Sequence, residues 1–561
     1  MAVQLLAVLG SLALLASWLA PNHYPPWTSF HSEAPAFTAL ACLVLARLLH
    51  PHPVRAGAAF VLFVPLALLI GAQWLGGWIY YRGDAAMSAL FVLGAALAFW
   101  LGQNSDTLRK PDAFTWLAAL VTTGACVAVL IGVLQWHGLE PSWGIYATDR
   151  GPNLRVFSNL AQPNHLATLC LTGVAMALWL HSRAVLNRWQ LATMVAWLSL
   201  GMVLTESRAV LACAFALGLL LLWSRRLSPV HWSIIPAWWA ALVAGYVLLP
   251  VLNEALYLLP AREEQIAQHG LRVTMWRQAL AAIADAPWLG HGWRQTLLAL
   301  KQAAAQVPGT LVTDYAHNVV LDVLVWVGVP LGVLLLGGFG FWAARSWLRI
   351  ADTRQLLLLG AASPVLVHSL FEFPFAYAYF LFPVAWLLGA LEASQRTGRA
   401  AGRLPSPSPG TWVRAQVFAL VGIYIATCIV VVRDYLQVEQ DYQVMRFELR
   451  KIGQRPPGHE APDLLLLTQL GDLIELGRVE ARPGMPPELL RRLGEASRRN
   501  GWATLDLTYA TALGMNGRHE EASRELAHMR GTYGGESASQ AYSMFRNFRV
   551  NHPELAPVVV P

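Results

Sequence analysis

Long apolar stretches, each able to cross a bilayer as a helix, dominate this chain. A helix needs about 20 mainly apolar residues to span the hydrocarbon core. Only 13% of the residues are charged, which excludes a disordered chain or a purely soluble enzyme. We therefore predict an all-α polytopic membrane protein with about 13 transmembrane helices. The stretches are residues 2–20, 34–50, 57–78, 87–103, 113–136, 163–181, 190–205, 208–224, 232–250, 317–344, 355–371, 377–393 and 413–432.

Charged residues are concentrated at the end of the chain. Residues 433–561 hold 16 of the 40 Lys and Arg residues and 17 of the 33 Asp and Glu residues. This predicts a multi-span membrane domain over residues 1–432, with long loops at 137–162 and 251–316, followed by a water-soluble domain over 433–561. Basic residues scattered between apolar stretches are typical of topology signals, so no nucleic-acid partner is expected.

Arginine and lysine residues fall on alternate connections between the stretches, and the positive-inside rule assigns those connections to the cytoplasm. With an odd number of spans, the N-terminus is then cytoplasmic, and the long loops and the tail face the other side. A cleaved signal peptide is the alternative for the first stretch, although no basic residue precedes Arg47. The basic residues are Arg47, Arg55, Arg109, Lys110, Arg183, Arg188, Arg225, Arg226, Arg345, Arg349, Arg354, Arg396, Arg399, Arg403 and Arg414.

The tail contains a helix-turn-helix pattern around Gly517. Apolar residues recur there at helical spacing, as in one tetratricopeptide (TPR) repeat, and a generic helical domain is an equally good interpretation. Such a domain could offer a concave face to a partner protein, or it could cap the long loops. The spaced residues are Leu505, Tyr509, Leu513, Ala522 and Leu526.

Motifs for nucleotide and metal chemistry are absent from the sequence. It has no Asp-x-Asp, no GxxxxGK[ST] phosphate loop, no HExxH and no Gly-x-Ser-x-Gly. The five cysteines lie singly in apolar stretches, so neither a disulfide framework nor a zinc site is expected.

Polar residues collect at the predicted outer ends of the spans, where ionisable groups are costly and therefore indicate function. RVFSNLAQPNH carries Arg155, Gln162, Asn164 and His165 at a helix start with Pro163 in its first turn. Amides at such a start, together with these side chains, could hold an anion. Simple capping of the helix is the alternative.

Three arginines are candidates for binding an anionic group. In LTESRAVLA, Arg208 must lie at the membrane surface, where its guanidinium could bind phosphate, contact a lipid or pair with Glu206. A predicted amphipathic helix over 271–285 carries Arg272 and Arg277. Because five residues turn a helix by about 140°, only one of these two arginines is expected in a site.

Two histidines lie near predicted span ends. His317 and Asn318 follow Tyr315 at the mouth of a span, where a histidine could exchange a proton with substrates or could merely begin the helix. His368 and Glu372 are spaced i and i+4, so we expect both on one helix face. They either form a structural pair or orient the arginines.

These segments in this order resemble the bacterial O-linking oligosaccharyltransferases of the PglL/PilO type, which are relatives of the O-antigen ligases and O-antigen polymerases. The resemblance covers most of the chain. It rests on PNHYPPWTSFHSE, AQPNHLA, TESRA, GLRVTMWRQAL, APWLGHGW, YAHNVVLDVLVWVG, HSLFEFPFAYAYFLFP and the helical tail. Trp326 stands where many relatives carry Glu, so it is given no role.

The resemblance implies a lipid-linked glycosyltransferase (GT-C-like) fold in the bacterial inner membrane, with the active site and the tail in the periplasm. It implies a glycan donor on undecaprenyl pyrophosphate, a protein acceptor such as a pilin, and no metal or cofactor. Arg208 and Arg272 would then bind the pyrophosphate, and His317 would be the essential catalytic residue. The other predicted substrate-binding residues are Arg155, Gln162, Asn164, His165, Arg277, Tyr315, Asn318, His368 and Glu372.

Three alternative functions remain open from the sequence. The same chemistry could transfer glycan to lipid A core, as in an O-antigen ligase, or to a growing glycan, as in a polymerase. A transporter or flippase would place polar groups near the middle of the membrane on broken, repeated helices. No inverted repeat is evident in the sequence, and this makes a transporter the least favoured interpretation.

Overall fold

The computed structural model describes residues 1–52, 54, 58–105, 112–150, 155–258, 267–309, 312–397, 410–452 and 462–561, and over these ranges it is helical without a strand. Each of the thirteen apolar stretches coincides with a helix. These helices are α1 (Ala2–Leu19), α2 (Phe30–Leu49), α3 (Ala58–Leu75), α4 (Arg82–Gln103), α5 (Ala113–Trp136), α6 (Pro163–Ser182), α7 (Arg188–Leu204), α8 (Arg208–Trp223), α9 (Ile234–Ala255), α12 (Val319–Leu348), α13 (Thr353–His368), α14 (Ala378–Thr397) and α15 (Gly410–Leu449).

Six further helices lie in the long second loop and the tail. A helix over 271–285 is confirmed, and so is the helix pair around Gly517, whose five spaced apolar residues are all buried. These six helices are α10 (Ala267–Asp285), α11 (Thr296–Ala303), α16 (Thr468–Gly477), α17 (Pro487–Arg499), α18 (Ala503–Met515) and α19 (His519–Asn551).

Eight helices of the described ranges are long and apolar enough to cross a membrane, namely α1, α2, α4, α5, α6, α9, α12 and α15. α8 is apolar but shorter. The chain is thus a multi-pass membrane protein, while the count of thirteen spans stays a prediction. Some residues used to predict the topology lie outside the described residues, namely Arg55, Arg109, Lys110, Arg399 and Arg403.

The chain forms two compact units. The first contains α1, α2, α5 to α9, α13 and α14. At its centre lies α6, which packs against α5, α7, α8 and α13 and is buried almost along its whole length. Apolar residues on all sides of a helix are typical of such a central position.

The second unit contains α10, α11, the first part of α12 and the tail helices α16 to α19. Within it α11 packs on α10, α17 and α19. Lys301 of α11 donates hydrogen bonds to the carbonyl oxygens of Ser497 and Asn500, and its Nζ lies 2.7 Å from Asp506 Oδ2. The tail therefore packs directly on the predicted long loop, which favours capping of that loop over an independent docking module. The domain boundary at residue 433 stays a prediction.

Candidate functional site

In the second unit, the APWLGHGW segment lies against a kink in α12. His291 N donates to Val325 O at 2.8 Å, and Val329 N donates to Pro287 O at 2.7 Å. The kink is at Gly328, whose φ of 76° suits glycine. A Cβ atom on Gly290 would lie only 2.6 Å from Gly328 N. The glycines of these two sequence motifs therefore permit a close backbone contact at the kink inside α12.

His317 lies on the turn of residues 313–318, immediately before α12, which we call the His317 turn. Its φ of 51° is in the left-handed region, which is uncommon and strained for a residue with a side chain. Ala316 is hydrogen-bonded on both sides, because its N–H donates to Asp322 Oδ1 at 2.9 Å and its carbonyl accepts from Trp276 Nε1 at 3.0 Å. The imidazole is half-buried, with Nε2 3.4 Å from Thr313 Oγ1. His317 thus sits on a fixed, partly exposed turn, where a ligand could reach it.

Two other predicted site residues, Asn318 and Tyr315, lie close to His317 in the chain. Asn318 caps α12, since its Oδ1 accepts from Val320 N at 2.9 Å and from Leu321 N at 3.3 Å. Burial raises the pKa of Tyr315 to about 12, so its phenol stays protonated at neutral pH and is not a base. Substrate contacts of both residues stay predictions.

The two arginines of α10 differ in exposure. Arg272 is half-buried, and it lies one turn before Trp276, the residue that binds Ala316. Residues four apart share a helix face, so Arg272 lies on the face directed at the His317 turn. Arg277 is exposed. This arrangement agrees with a predicted role for Arg272 alone, although no contact with a substrate tests it.

Two charged residues of this region were not singled out from the sequence. Arg294 follows GHGW directly, has a φ of 61°, and holds its guanidinium carbon 5.8 Å from the centre of the Tyr315 ring. Burial by itself lowers the pKa of Arg294, but its interactions with Tyr315, Asp84 and Asp314 raise it above the usual value. The second residue is Asp322, a fully buried acid in α12. The sequence signal that could have identified Arg294 and Asp322 is a charged residue inside or beside an apolar stretch.

The TESRA turn of the first unit resembles the His317 turn in its backbone. Glu206 has a φ of 51°, and its carbonyl accepts from Arg155 Nη1 at 3.3 Å. The hydroxyl of Tyr246 donates to Ser207 O at 3.0 Å. Arg208 is the first residue of α8 and is exposed. The structure therefore brings two predicted residues, Arg155 and Arg208, to one strained turn at a helix start.

The AQPNH segment begins α6 at Pro163, as predicted. Gln162 caps this helix, because its Oε1 accepts from His165 N at 2.9 Å. The capping alternative is therefore correct for Gln162, and its predicted contact with a substrate stays a prediction.

Five polar residues of α6, of the end of α13 and of the turn after it are buried together and hydrogen-bonded, and we call them the α6 cluster. Asn164 Nδ2 donates to Glu372 Oε1 at 2.9 Å, and the hydroxyl of Thr168 lies 2.6 Å from His368 Nδ1. His165 Nδ1 lies 3.1 Å from the hydroxyl of Tyr379, which serves as a partner outside the cluster. The α6 cluster comprises Asn164, His165, Thr168, His368 and Glu372, each at most 6% exposed.

Only His368 of the predicted pair lies within α13, although Glu372 N still donates to His368 O at 2.9 Å, the spacing of a helical turn. α13 ends at His368, and Glu372 follows on a turn before Pro374. The residue before a proline is driven out of the helical region, and Phe373 accordingly has φ −123° and ψ 48°. Among the hydrogen bonds described above, both side chains pair with α6, so they join two helices of the first unit.

Over the described ranges, no three His, Cys, Asp or Glu residues form a group that could hold a metal ion. The predicted absence of metals and cofactors stays a prediction.

Three family descriptions match successive parts of the chain. Residues 156–181 match "Protein glycosylation ligase", residues 193–336 match "O-Antigen ligase", and residues 356–547 match "Virulence factor membrane-bound polymerase, C-terminal". The first two matches contain the α6 start, the TESRA turn and the His317 turn.

Curated relatives support the same comparison. The general O-oligosaccharyltransferase of Acinetobacter baylyi is 29% identical over 408 residues, covering 69% of this chain and 70% of the relative. The ComP-specific O-oligosaccharyltransferase of the same species is 25% identical over 405 residues, with the same two coverages. An O-antigen ligase of Pseudomonas aeruginosa is 29% identical over 291 residues, covering 49% of this chain and 62% of the relative.

The multi-pass helical fold and these matches together define a membrane enzyme of the glycosyltransferase class. Within that class, the resemblance to the O-linking oligosaccharyltransferases of the PglL/PilO type, relatives of the O-antigen ligases, is confirmed.

Proposed function

We propose that this chain transfers a preassembled glycan from undecaprenyl pyrophosphate to a Ser or Thr hydroxyl of a periplasmic or pilin-like protein. The observation that carries the proposal is the His317 turn. It presents a half-buried imidazole on a strained backbone whose preceding residue is held by Asp322 and Trp276. Two of the three named relatives are O-oligosaccharyltransferases, and this supports protein glycosylation as the outcome.

The chemistry needs two contributions from the protein. A glycosyl pyrophosphate already has a good leaving group, so the enzyme must stabilise the negative charge that develops on the departing pyrophosphate. Guanidinium groups offer planar pairs of donors suited to phosphate. We assign this role to Arg208, exposed at the start of α8, and to Arg272 on α10. No metal or cofactor is required for this charge stabilisation.

His317 supplies the second contribution. As the hydroxyl oxygen of Ser or Thr forms its bond to the anomeric carbon, the bond from that carbon to the pyrophosphate oxygen breaks. The imidazole of His317 accepts the hydroxyl proton. Attack from the face opposite the leaving group inverts the anomeric centre.

The proposed topology follows the sequence prediction. Thirteen spans place the N-terminus in the cytoplasm and the candidate site in the periplasm, within the bacterial inner membrane. The tail, with its helix pair around Gly517, is then a periplasmic TPR-like domain. Protease treatment of intact spheroplasts tests this topology, because a protected tail would contradict it.

The experiment that tests the function uses the full chain purified in detergent. It is supplied with a polyprenyl-pyrophosphate-linked glycan and a Ser-containing peptide, and product is detected by mass spectrometry. The wild type should form glycopeptide, His317→Ala should not, and His231→Ala, a matched change of an exposed histidine, should. Full activity of the His317 variant would refute the assignment of the base.

An O-antigen ligase or polymerase is the second candidate function. The match of residues 193–336 and the Pseudomonas aeruginosa relative favour it, and the match of residues 156–181 favours protein glycosylation. In cells, a gel shift of an acceptor protein supports the first function. A change in the ladder of lipopolysaccharide bands supports the second. A transporter remains the least favoured candidate.

A further inference from the structure

A buried carboxylate supports the turn that carries His317, and neither the sequence motifs nor the proposed mechanism gives it a role. Asp322 lies in the first turn of α12 and is fully buried. Burial of an acidic side chain is expensive unless it forms hydrogen bonds. A buried acid at this position can accept hydrogen bonds, which an apolar residue could not do.

The carboxylate of Asp322 accepts two hydrogen bonds from different parts of the chain. Its Oδ1 accepts from Ala316 N at 2.9 Å and from Thr296 Oγ1 at 2.8 Å. Thr296 Oγ1 in turn accepts from Trp326 Nε1 at 2.8 Å. One oxygen atom therefore joins the turn before α12 to the threonine that follows GHGWRQ and, through it, to an aromatic residue of α12.

The bond to Ala316 bears directly on His317. Ala316 is itself fully buried and also accepts a hydrogen bond from Trp276, so its peptide groups cannot rotate without breaking one of the two bonds. His317 follows with its φ in the left-handed region, a conformation that persists only when the surroundings impose it. Since the direction of the imidazole depends on that backbone, the two bonds to Ala316 fix where the histidine points.

We propose that Asp322 is the positioning residue for His317, acting through the hydrogen bond from the Ala316 amide. The inference rests on the proposed function, because it assigns His317 the proton transfer. Asp322 itself touches neither the substrate nor the transferred proton. Its effect should therefore be on turnover and not on binding of the donor.

Two variants of Asp322 separate position from charge. Asp322→Asn keeps an oxygen that can accept from Ala316 N, whereas Asp322→Ala removes the acceptor. Thr296→Val is the matched control, because it removes the buried hydrogen bonds of Thr296 to the same Asp322 oxygen and to Trp326 but leaves the bond from Ala316 N in place. For each, kcat and the KM for a polyprenyl-pyrophosphate-linked glycan are measured with a Ser-containing peptide as the acceptor.

Misplacement of a catalytic group by about 1 Å can cost about 100-fold in rate. We expect that loss in kcat for Asp322→Ala, with KM changed less than about threefold. Asp322→Asn should recover kcat to within about tenfold of the wild type, and Thr296→Val should stay close to the wild type. An Ala variant with the kcat of the wild type overturns the proposal. So does an Asn variant as slow as the Ala variant.

Hydrogen exchange of the full-length protein gives a readout that does not depend on transfer. Asp322→Ala should accelerate exchange in the peptide that contains Ala316 and His317, while exchange in the tail helices stays unchanged. Asp322→Asn should restore the protection. Unchanged protection at Ala316 in the Ala variant overturns the positioning role even if the enzyme is active. If the wild type transfers no glycan at all, the proposed function fails, and the exchange data still decide the inference.

Discussion

The His317 turn and the α6 cluster are both polar groups at the ends of apolar helices, yet they differ in burial and in backbone strain. In the α6 cluster, Asn164, Glu372 and their neighbours are buried and hydrogen-bonded to other protein groups. In the turn, His317 is half-buried on a left-handed backbone. The TESRA turn resembles the His317 turn in both respects, because Glu206 is in the same backbone region and Arg208 is exposed.

The difference separates a structural polar group from a candidate catalytic one. Polar groups buried inside a protein need partners, and a group whose partners are protein atoms mainly holds helices together. A partly exposed side chain on a strained backbone can meet a ligand, and strain of this kind is concentrated at functional sites. We therefore expect changes in the turns to reduce turnover and changes in the α6 cluster to reduce stability.

The largest effect is expected at the His317 turn. His317→Ala removes the proposed proton acceptor and should lower transfer by about 1,000-fold, within the range typical of general bases. The side chain is half-buried, so the amount of folded protein in the membrane should not change. Glycopeptide formation per folded molecule measures the effect. A transfer rate near that of the wild type would show that the His317 turn is not catalytic.

Arginine-to-lysine changes test the second element of the site. Arg208→Lys and Arg272→Lys keep the positive charge but lose the planar pair of donors, so each should lose about 10- to 100-fold in transfer. Arg277→Lys is the matched control on the same helix as Arg272. Because Arg277 is exposed, its variant should stay within about twofold of the wild type. A larger loss at Arg277 than at Arg272 would show that the wrong arginine of α10 was chosen.

The contact between α11 and the tail predicts a moderate effect on stability and transfer. Asp506→Asn leaves the buried ammonium of Lys301 without its counter-ion, which should cost up to about 3 kcal/mol in the free energy of unfolding. Transfer should fall several-fold and equally on a short peptide and on a folded acceptor, since the tail packs on the loop. Arg491→Ala, which breaks the two ion pairs of an exposed arginine with Glu488 and Glu495, is the control. A loss confined to the folded acceptor would instead support a docking role for the tail.

The smallest effect on transfer is expected in the α6 cluster. Asn164→Ala removes a donor to the buried Glu372 carboxylate and should cost about 1–3 kcal/mol of stability. Transfer per folded molecule should remain within about threefold, because the cluster joins helices. Thermal melting and the transfer assay, run on the same preparation, measure both. Ser182→Ala on the same helix is the control, since the exposed Ser182 hydroxyl donates to the nearby Trp179 carbonyl. A loss of transfer per folded molecule far above threefold would show that the α6 cluster takes part in the active site.

Much of the helical layout could be predicted from local patterns. Apolar length located the span helices, Pro163 marked the start of α6, and the spacing around Gly517 predicted the helix pair of the tail. Local pattern was incomplete at the end of α13, because the helix ends at His368 and Glu372 lies on the turn that follows it. Pro374 predicts that the residue before it is not helical, but the apolar run after Glu372 suggested that the helix continues.

The sequence by itself determined the class of this protein, because apolar length fixes membrane helices and the order of motifs carries the family resemblance. Only the tertiary structure decided which polar residues are structural. Asn318 and Gln162 proved to be caps, and Asp322 proved to hold the turn of His317. The physical reason is that a polar side chain takes its role from the partner it meets. For Ala316 that partner includes Trp276, 40 positions earlier in the chain, which no local pattern specifies.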